Sequence, residues 1–301
     1  MSAETRDGAL RETKGSGSLV HLGATVLACV FWGGSIVGTK LSFDALPPFA
    51  LGLVRFALAT LVFFALLALR RQLSVPSFRD LRLMALTGLL GTTLYFASEH
   101  LGALMLSATT SALVVGSFPA MTVVLECFYD RRLPSARMAG GVALAFAGVA
   151  VLSLSEVGGA AGDQALGILV LMAGGIFWAF YNLLMRGFDE HVSTLVITSW
   201  QTLFGALGFI PLALIEGAQW EMPSGPSAWS LAYLVLGCTV AAFTLYNFGL
   251  KKLSASVASA FVNLIPVVGL VASALILGEP ISLGQIVGCA AIVIGIFLSS
   301  R

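Results

Sequence analysis

Charge is what this chain has least of. Only 10% of its 301 residues are Asp, Glu, Lys or Arg, while 58% are hydrophobic. Soluble domains carry about 25% charged and at most about 50% apolar residues. So few charges cannot cover a water-exposed surface, which excludes an ordinary soluble globular protein. The net charge of +1, with no basic patch interleaved with aromatics, leaves no footprint for nucleic acid. Histidine is reduced to His21, His100 and His191, far apart and near the ends of apolar stretches, so no zinc-protease spacing exists. The four cysteines, Cys29, Cys127, Cys238 and Cys289, lie in apolar runs without metal-ligand or disulfide spacing and read as buried, inert thiols. No Asp falls within an apolar run. Nothing here forms a catalytic or metal-binding constellation, and the reading is a protein that is not an enzyme and carries no cofactor. A cleavable signal is also missing: residues 1–19 are polar and of mixed charge, a pattern read as a disordered cytoplasmic tail before a retained helix.

What is present is long apolar runs. A bilayer core about 30 Å thick needs about 20 helical residues. Windows near that length occur at Val20–Thr39, Pro48–Leu69, Leu81–Ser98, Ser107–Phe128, Met138–Leu154, Leu166–Met185, Thr194–Ile215, Ser227–Leu250, Ala255–Leu277 and Leu283–Ser299. They predict an all-α polytopic membrane protein of ten transmembrane helices. Basic residues test that count. With the N-terminus in the cytoplasm, fourteen of the sixteen Lys and Arg fall in cytoplasmic segments, Lys40 lies opposite, and Arg55 lies inside a span. Excess Lys and Arg in short cytoplasmic loops sets orientation, so both termini are expected inside.

The chain is also written twice. Phe31-Trp32 recurs as Phe177-Trp178, 146 positions on, and His100-Leu-Gly102 is answered by Asn247-Phe-Gly249 at an offset of 147. Pro119 falls on Pro266 and Gly148 on Gly295. Five spans per copy is an odd number, so consecutive copies must enter the membrane with opposite polarity. The expectation is two inverted five-helix repeats, 20–154 and 166–301, joined by an extracytoplasmic linker, 155–165. Inverted repeats are the mark of alternating-access carriers.

Polar residues at membrane depth are candidates for function. Arg55 is either a carboxylate anchor or gate, or a structural residue that snorkels or pairs with backbone carbonyls; its repeat counterpart is Gln201. Glu99-His100, just after Tyr95, is either a proton relay or a wet loop end. Glu126 suits pairing with Arg131 or Arg132. Trp178, Tyr181 and Asn182 share one helical face by their i, i+3, i+4 spacing. With Trp32, Tyr95, Ser117, Tyr246, Asn247 and Asn263 they would line a cavity between spans one, three, four, six, eight and nine. Aromatic walls with a few amides suit a small amphipathic solute; interface-belt aromatics and interhelical bonds are the plainer alternative. Pro119 and Pro266 are expected to kink equivalent helices beside the path, with Ser117 and Asn263 near enough to satisfy the freed carbonyls. Gly141, Gly148, Gly288 and Gly295 mark close-packing seams, within the fold or between protomers of a homodimer.

Ala258-Ser-Ala-Phe-Val-Asn-Leu-Ile-Pro266, the run to Leu277-Gly278-Glu279-Pro280, Phe31-Trp32-Gly33 and Arg55-Phe56 together resemble EamA-type carriers of the drug/metabolite transporter superfamily. The resemblance implies ten helices, a central cavity, and efflux of amino acids or small metabolites from the bacterial inner membrane. Members similar to this chain export aromatic amino acids. Export of other metabolites or drugs is the alternative, and a channel or a membrane enzyme a more distant one. Glu279 has no match in the first copy, where Asp130-Arg131-Arg132 stands, so it is not expected to be a duplicated coupling site.

Overall fold

The structure, a computed structural model, describes residues 19–155, 161–189, 191–217, 220–250, 261–262 and 264–299. Every regular element among them is helical. Among the described residues, seven helices are long and apolar enough to cross a membrane: α1 Leu19–Ser42, α2 Pro48–Leu69, α3 Phe78–Met105, α4 Ala108–Tyr129, α6 Asp163–Met185, α7 Thr194–Glu216 and α8 Gly225–Tyr246. Three shorter apolar helices complete the set: α5 Ala136–Leu152, α9 Leu264–Leu277 and α10 Leu283–Ser299. Their outward surfaces carry large apolar side chains such as Leu61, Leu169, Leu214 and Leu275, which water would not tolerate in this number.

Local chemistry explains where the helices begin and end. Pro48 opens α2 at a position where its missing N–H costs nothing. Ser77 caps α3 through the Asp80 amide at 3.2 Å, and Ser107 caps α4 through the Thr110 amide at 3.1 Å. Gly217 closes α7 in the left-handed region, φ 58°. α2 and α4 end instead on Arg71 and Arg131 at φ 53° and 50°. Glycine is the usual residue there, so at these two ends a positive charge is kept at some cost to the backbone.

Four spans depart from regular helix. α1 is interrupted by a turn at Gly34. α4 breaks at Ser117, leaving Ala108–Gly116 and Phe118–Tyr129, as Pro119 leads one to expect. α3 and α8 each contain a π-helical stretch, Leu89–Leu94 and Tyr233–Ala241. Shifted by the 147-position offset, the first falls on 236–241, inside the second. Repeat-related spans thus carry the same irregularity, a type common at functional sites.

The repeats meet along α5 and α10. A methyl group at Gly141 would come within 2.5 Å of the Gly295 carbonyl oxygen, and one at Gly148 within 2.8 Å of that of Gly288. Gly288 is the image of Gly141 and Gly295 the image of Gly148. Each glycine therefore crosses the image of the other, as antiparallel helices do about a two-fold axis. The seam is taken up within the chain, so a homodimer would need another surface. A second close approach joins α4 and α9: a methyl at Gly116 of α4 would lie 2.8 Å from Pro266 Cβ in the first turn of α9.

Candidate functional site

Two cavities lie between α2, α7 and α8 and share part of their walls. The larger, about 380 Å³, is bounded by Phe63 and Leu66 of α2 and Arg70 at its end, by Ser193, Thr194, Leu195 and Thr198, by Phe243 and Thr244 of α8, and by Phe248. That volume is within the range of about 300–1,000 Å³ typical of ligand pockets. The smaller, about 20 Å³, is bounded by Phe56, Gly91, Thr92, Phe96, Trp178, Tyr181, Thr198, Gln201, Thr202, Thr239 and Phe243. It has room for about one water molecule.

The smaller cavity straddles the line of symmetry. Offsets of 146 or 147 pair Thr92 with Thr239, Phe96 with Phe243 and Phe56 with Thr202, and all six line it. Gln201, the image of Arg55, also lines it; Arg55 stands one layer behind. Trp178 stacks on Tyr181 with ring centroids 5.0 Å apart, and Tyr95 tilts against Trp178 at 5.0 Å. Glycines on α3 permit these approaches: a methyl at Gly88 would come within 2.5 Å of the Gln201 carbonyl oxygen, and Gly91 lies under the Tyr181 ring. Gln201 Nε2 donates to Thr87 Oγ1 at 2.8 Å.

Behind the Phe56–Phe96–Thr239 wall is a buried polar cluster. Arg55 is 1% exposed. Its Cζ lies 4.6 Å from the Phe96 ring centroid and 5.1 Å from that of Phe56, and its Nε donates to Thr239 Oγ1 at 3.2 Å. Thr239 Oγ1 in turn donates to the Leu234 carbonyl, 2.9 Å away in the π-helical stretch. Tyr95 donates its hydroxyl to Glu99 Oε2 at 2.8 Å, and His100 Nδ1 lies 2.8 Å from the Pro48 carbonyl oxygen. Arg55 Nη1, Glu99 Oε1 and His100 Nε2 are buried without a hydrogen-bond partner among the described residues. A buried polar atom without a partner is costly, so three together mark this cluster as more than packing.

Several expectations need correcting. Glu99 and His100 are not at a wet loop end: α3 runs on to Met105, and they are 3% and 0% exposed. Arg55 neither snorkels nor bonds a backbone carbonyl; it bonds a threonine hydroxyl and lies over two rings. Glu126 pairs with Arg186, in the turn just after α6, not with Arg131 or Arg132. Asn182 shares the Trp178 face, but its amide donates to the Trp178 carbonyl oxygen at 2.8 Å and does not line either cavity. Ser117 is buried and bonds the Val114 carbonyl at 2.7 Å, not that of Val115 freed by Pro119. Trp32 and Tyr246 pack on one another at 5.2 Å, outside the smaller cavity, with Trp32 Nε1 donating to the Cys238 carbonyl at 3.0 Å. Spans two and seven line the cavities where spans one, four and nine were expected. Asn263 lies outside the described residues, as does the side chain of Asn247. The threonines and phenylalanines of the pocket were missed, although the repeat offset already paired them.

At the end of the bundle remote from Arg70, two carboxylates tie helices together. Glu216, ending α7, accepts from the Phe49 and Ala50 amides at 3.1 and 3.0 Å, capping α2. Glu279, after α9, accepts from the Ala108 and Thr109 amides at 2.8 and 2.9 Å and from the Thr109 hydroxyl, capping α4.

Comparison with known proteins accounts for nearly all of this chain. Residues 20–154 and 165–301 each match the model described as the EamA-like transporter family. An uncharacterized transporter of Bacillus subtilis, YetK, is 28% identical over 95% of this chain and 87% of its own. A probable amino-acid metabolite efflux pump of Salmonella typhimurium is 27% identical over 91% of this chain and 92% of its own. A solved crystal structure shares the fold with a TM-score of 0.62 at 20% identity, covering 95% of this chain and 96% of that one.

Proposed function

Because the chain belongs to the EamA-like transporter family, being a multi-pass membrane protein with two copies of the family's unit, we propose that it exports amino acids or related small amphipathic metabolites across a bacterial inner membrane. In this reading it has ten spans in two inverted repeats, both termini are cytoplasmic, and the repeats rock about the central pocket. The Arg70 end then faces the cytoplasm, and the large cavity is the entrance for solute leaving the cell.

The observation that carries the reading is the pocket lined by repeat-related residues, with Trp178 and Tyr181 in its wall and Arg55 behind Phe56 and Phe96. Aromatic faces would hold a side chain. A guanidinium with a free Nη1 would take a carboxylate once the wall parts. The relative named as an amino-acid metabolite efflux pump points the same way. Export of other metabolites fits the same rings and would not need Arg55.

The test is counterflow of radiolabelled amino acids in proteoliposomes containing the purified protein. Saturable flux is expected, strongest for aromatic substrates and reduced at least about tenfold by Trp178→Ala. The absence of saturable flux across all twenty amino acids would overturn the amino-acid reading.

A further inference from the structure

Among the described residues, Thr198 and Phe243 alone line both cavities, so they form the neck between them. On one side is a space large enough for a metabolite; on the other is a pocket that holds about one water. A solute coming from the Arg70 end must move Phe243 to go further. The Phe243 ring does not stand alone: it meets Trp32 edge-on at 5.3 Å, and Trp32 is fixed by its bond to the Cys238 carbonyl.

Phe243 has an image. Subtracting 147 gives Phe96, which lines the same pocket and packs on His100, itself bonded to the Pro48 carbonyl at the end remote from Arg70. The two rings are held differently. Phe96 has the Arg55 guanidinium 4.6 Å from its centroid, a contact made strong by burial. The position related to Arg55 by the repeat holds Gln201, which carries no charge to offer a ring. The same asymmetry appears at the helix ends. The C-terminal end of α7 is drawn onto the start of α2 by Glu216, whereas at the C-terminal end of α2 the large cavity separates Arg70 from the start of α7.

We propose that Phe96 and Phe243 are the paired gates of the central pocket, and that Arg55, by locking Phe96, makes the resting pocket accessible through Phe243 from the Arg70 side. The unequal lock, one cation where its image has an amide, then sets which way the carrier faces when empty. Phe243 is the residue a solute must displace on entry and so sets the size admitted. The proposal builds on the transporter reading but not on the identity of the solute.

Its test uses no solute. A reporter cysteine replaces Thr202, which lines the pocket, and the full-length protein in sealed vesicles is treated with the impermeant thiol reagent methanethiosulfonate ethylsulfonate from each side in turn. The four native cysteines are buried and supply the background. Adding Phe243→Ala should raise the labelling rate from the Arg70 side by about tenfold or more and leave the other side unchanged. Phe96→Ala, and separately Arg55→Gln, should raise labelling from the opposite side by a similar factor. Arg55→Lys keeps a cation over the ring and should label like the parent, which separates the lock from a general loosening. The Phe96→Leu and Phe243→Leu variants serve where alanine prevents folding. Labelling from the Arg70 side that ignores Phe243, or labelling from the opposite side that ignores both Phe96 and Arg55, would overturn the proposal. If amino-acid flux is absent while these rates change as stated, the gates stand and only the substrate is wrong.

Discussion

Replacing Glu216 should loosen the junction of α7 and α2 by a predictable amount. Its carboxylate accepts the Phe49 amide at 3.1 Å and the Ala50 amide at 3.0 Å, while Pro47, the residue at the cap position, offers no side-chain bond. Glu216→Ala removes both acceptors and the negative charge facing the helix N-terminus. Loss of a helix cap costs about 0.5–2 kcal/mol, and hydrogen bonds to a charged group contribute about 1.5–3 kcal/mol when well shielded. Glu216 is only half-buried, so about 1–2 kcal/mol is the appropriate range. At about 2–4 °C per kcal/mol for a chain of this size, the apparent Tm should fall by about 2–8 °C. Glu216→Gln keeps an acceptor oxygen and loses only the charge, worth about 0.3–1 kcal/mol at a helix end, so its shift should be about half or less. The four buried cysteines make the assay simple: a maleimide dye that fluoresces on thiol reaction reports their exposure as the detergent-solubilised protein unfolds. Scan rates must match, because such unfolding is irreversible. A Glu216→Ala protein within about 1 °C of the parent would refute the capping argument.

Three other contacts give outcomes of the same kind. Glu279→Ala removes the cap of α4 and should lower the apparent Tm by about 2–8 °C in the same assay, with Glu279→Gln again intermediate. Gly148→Ala pushes a methyl against the Gly288 carbonyl, which is backbone and cannot swing aside, and should cost about 1–3 kcal/mol, read as lower Tm and poorer yield of monodisperse protein. Tyr95→Phe strips the buried Glu99 carboxyl of its donor and should destabilise by about 1–3 kcal/mol without changing helix content by circular dichroism.

The broad architecture was legible in the sequence because lipid imposes it: apolar runs and the duplicated motifs needed no tertiary information. The errors lie where tertiary covering decides. Hydropathy ends the third span at Ser98 because Glu99 and His100 are polar, yet the helix continues, with Tyr95 bonded to Glu99 and the Pro48 carbonyl beside His100. Neighbours in sequence suggest Arg131 or Arg132 for Glu126, but its partner Arg186 comes from the turn after α6, 60 residues on. Asn182 spends its amide on its own helix, which spacing alone cannot reveal. The pocket-lining Thr92, Thr239, Phe96 and Phe243 were passed over because threonine and phenylalanine are ordinary in a membrane span. Their pairing at the repeat offset was the available signal.

The glycine seam between α5 and α10 also has a hereditary meaning. Were the two halves identical, any change at the position of Gly141 would alter both crossings at once, since Gly288 occupies the other. In this chain the same change touches one crossing and leaves the other intact. A mutation at the seam is thereby confined to one contact, and one half can drift while the other keeps the helices close.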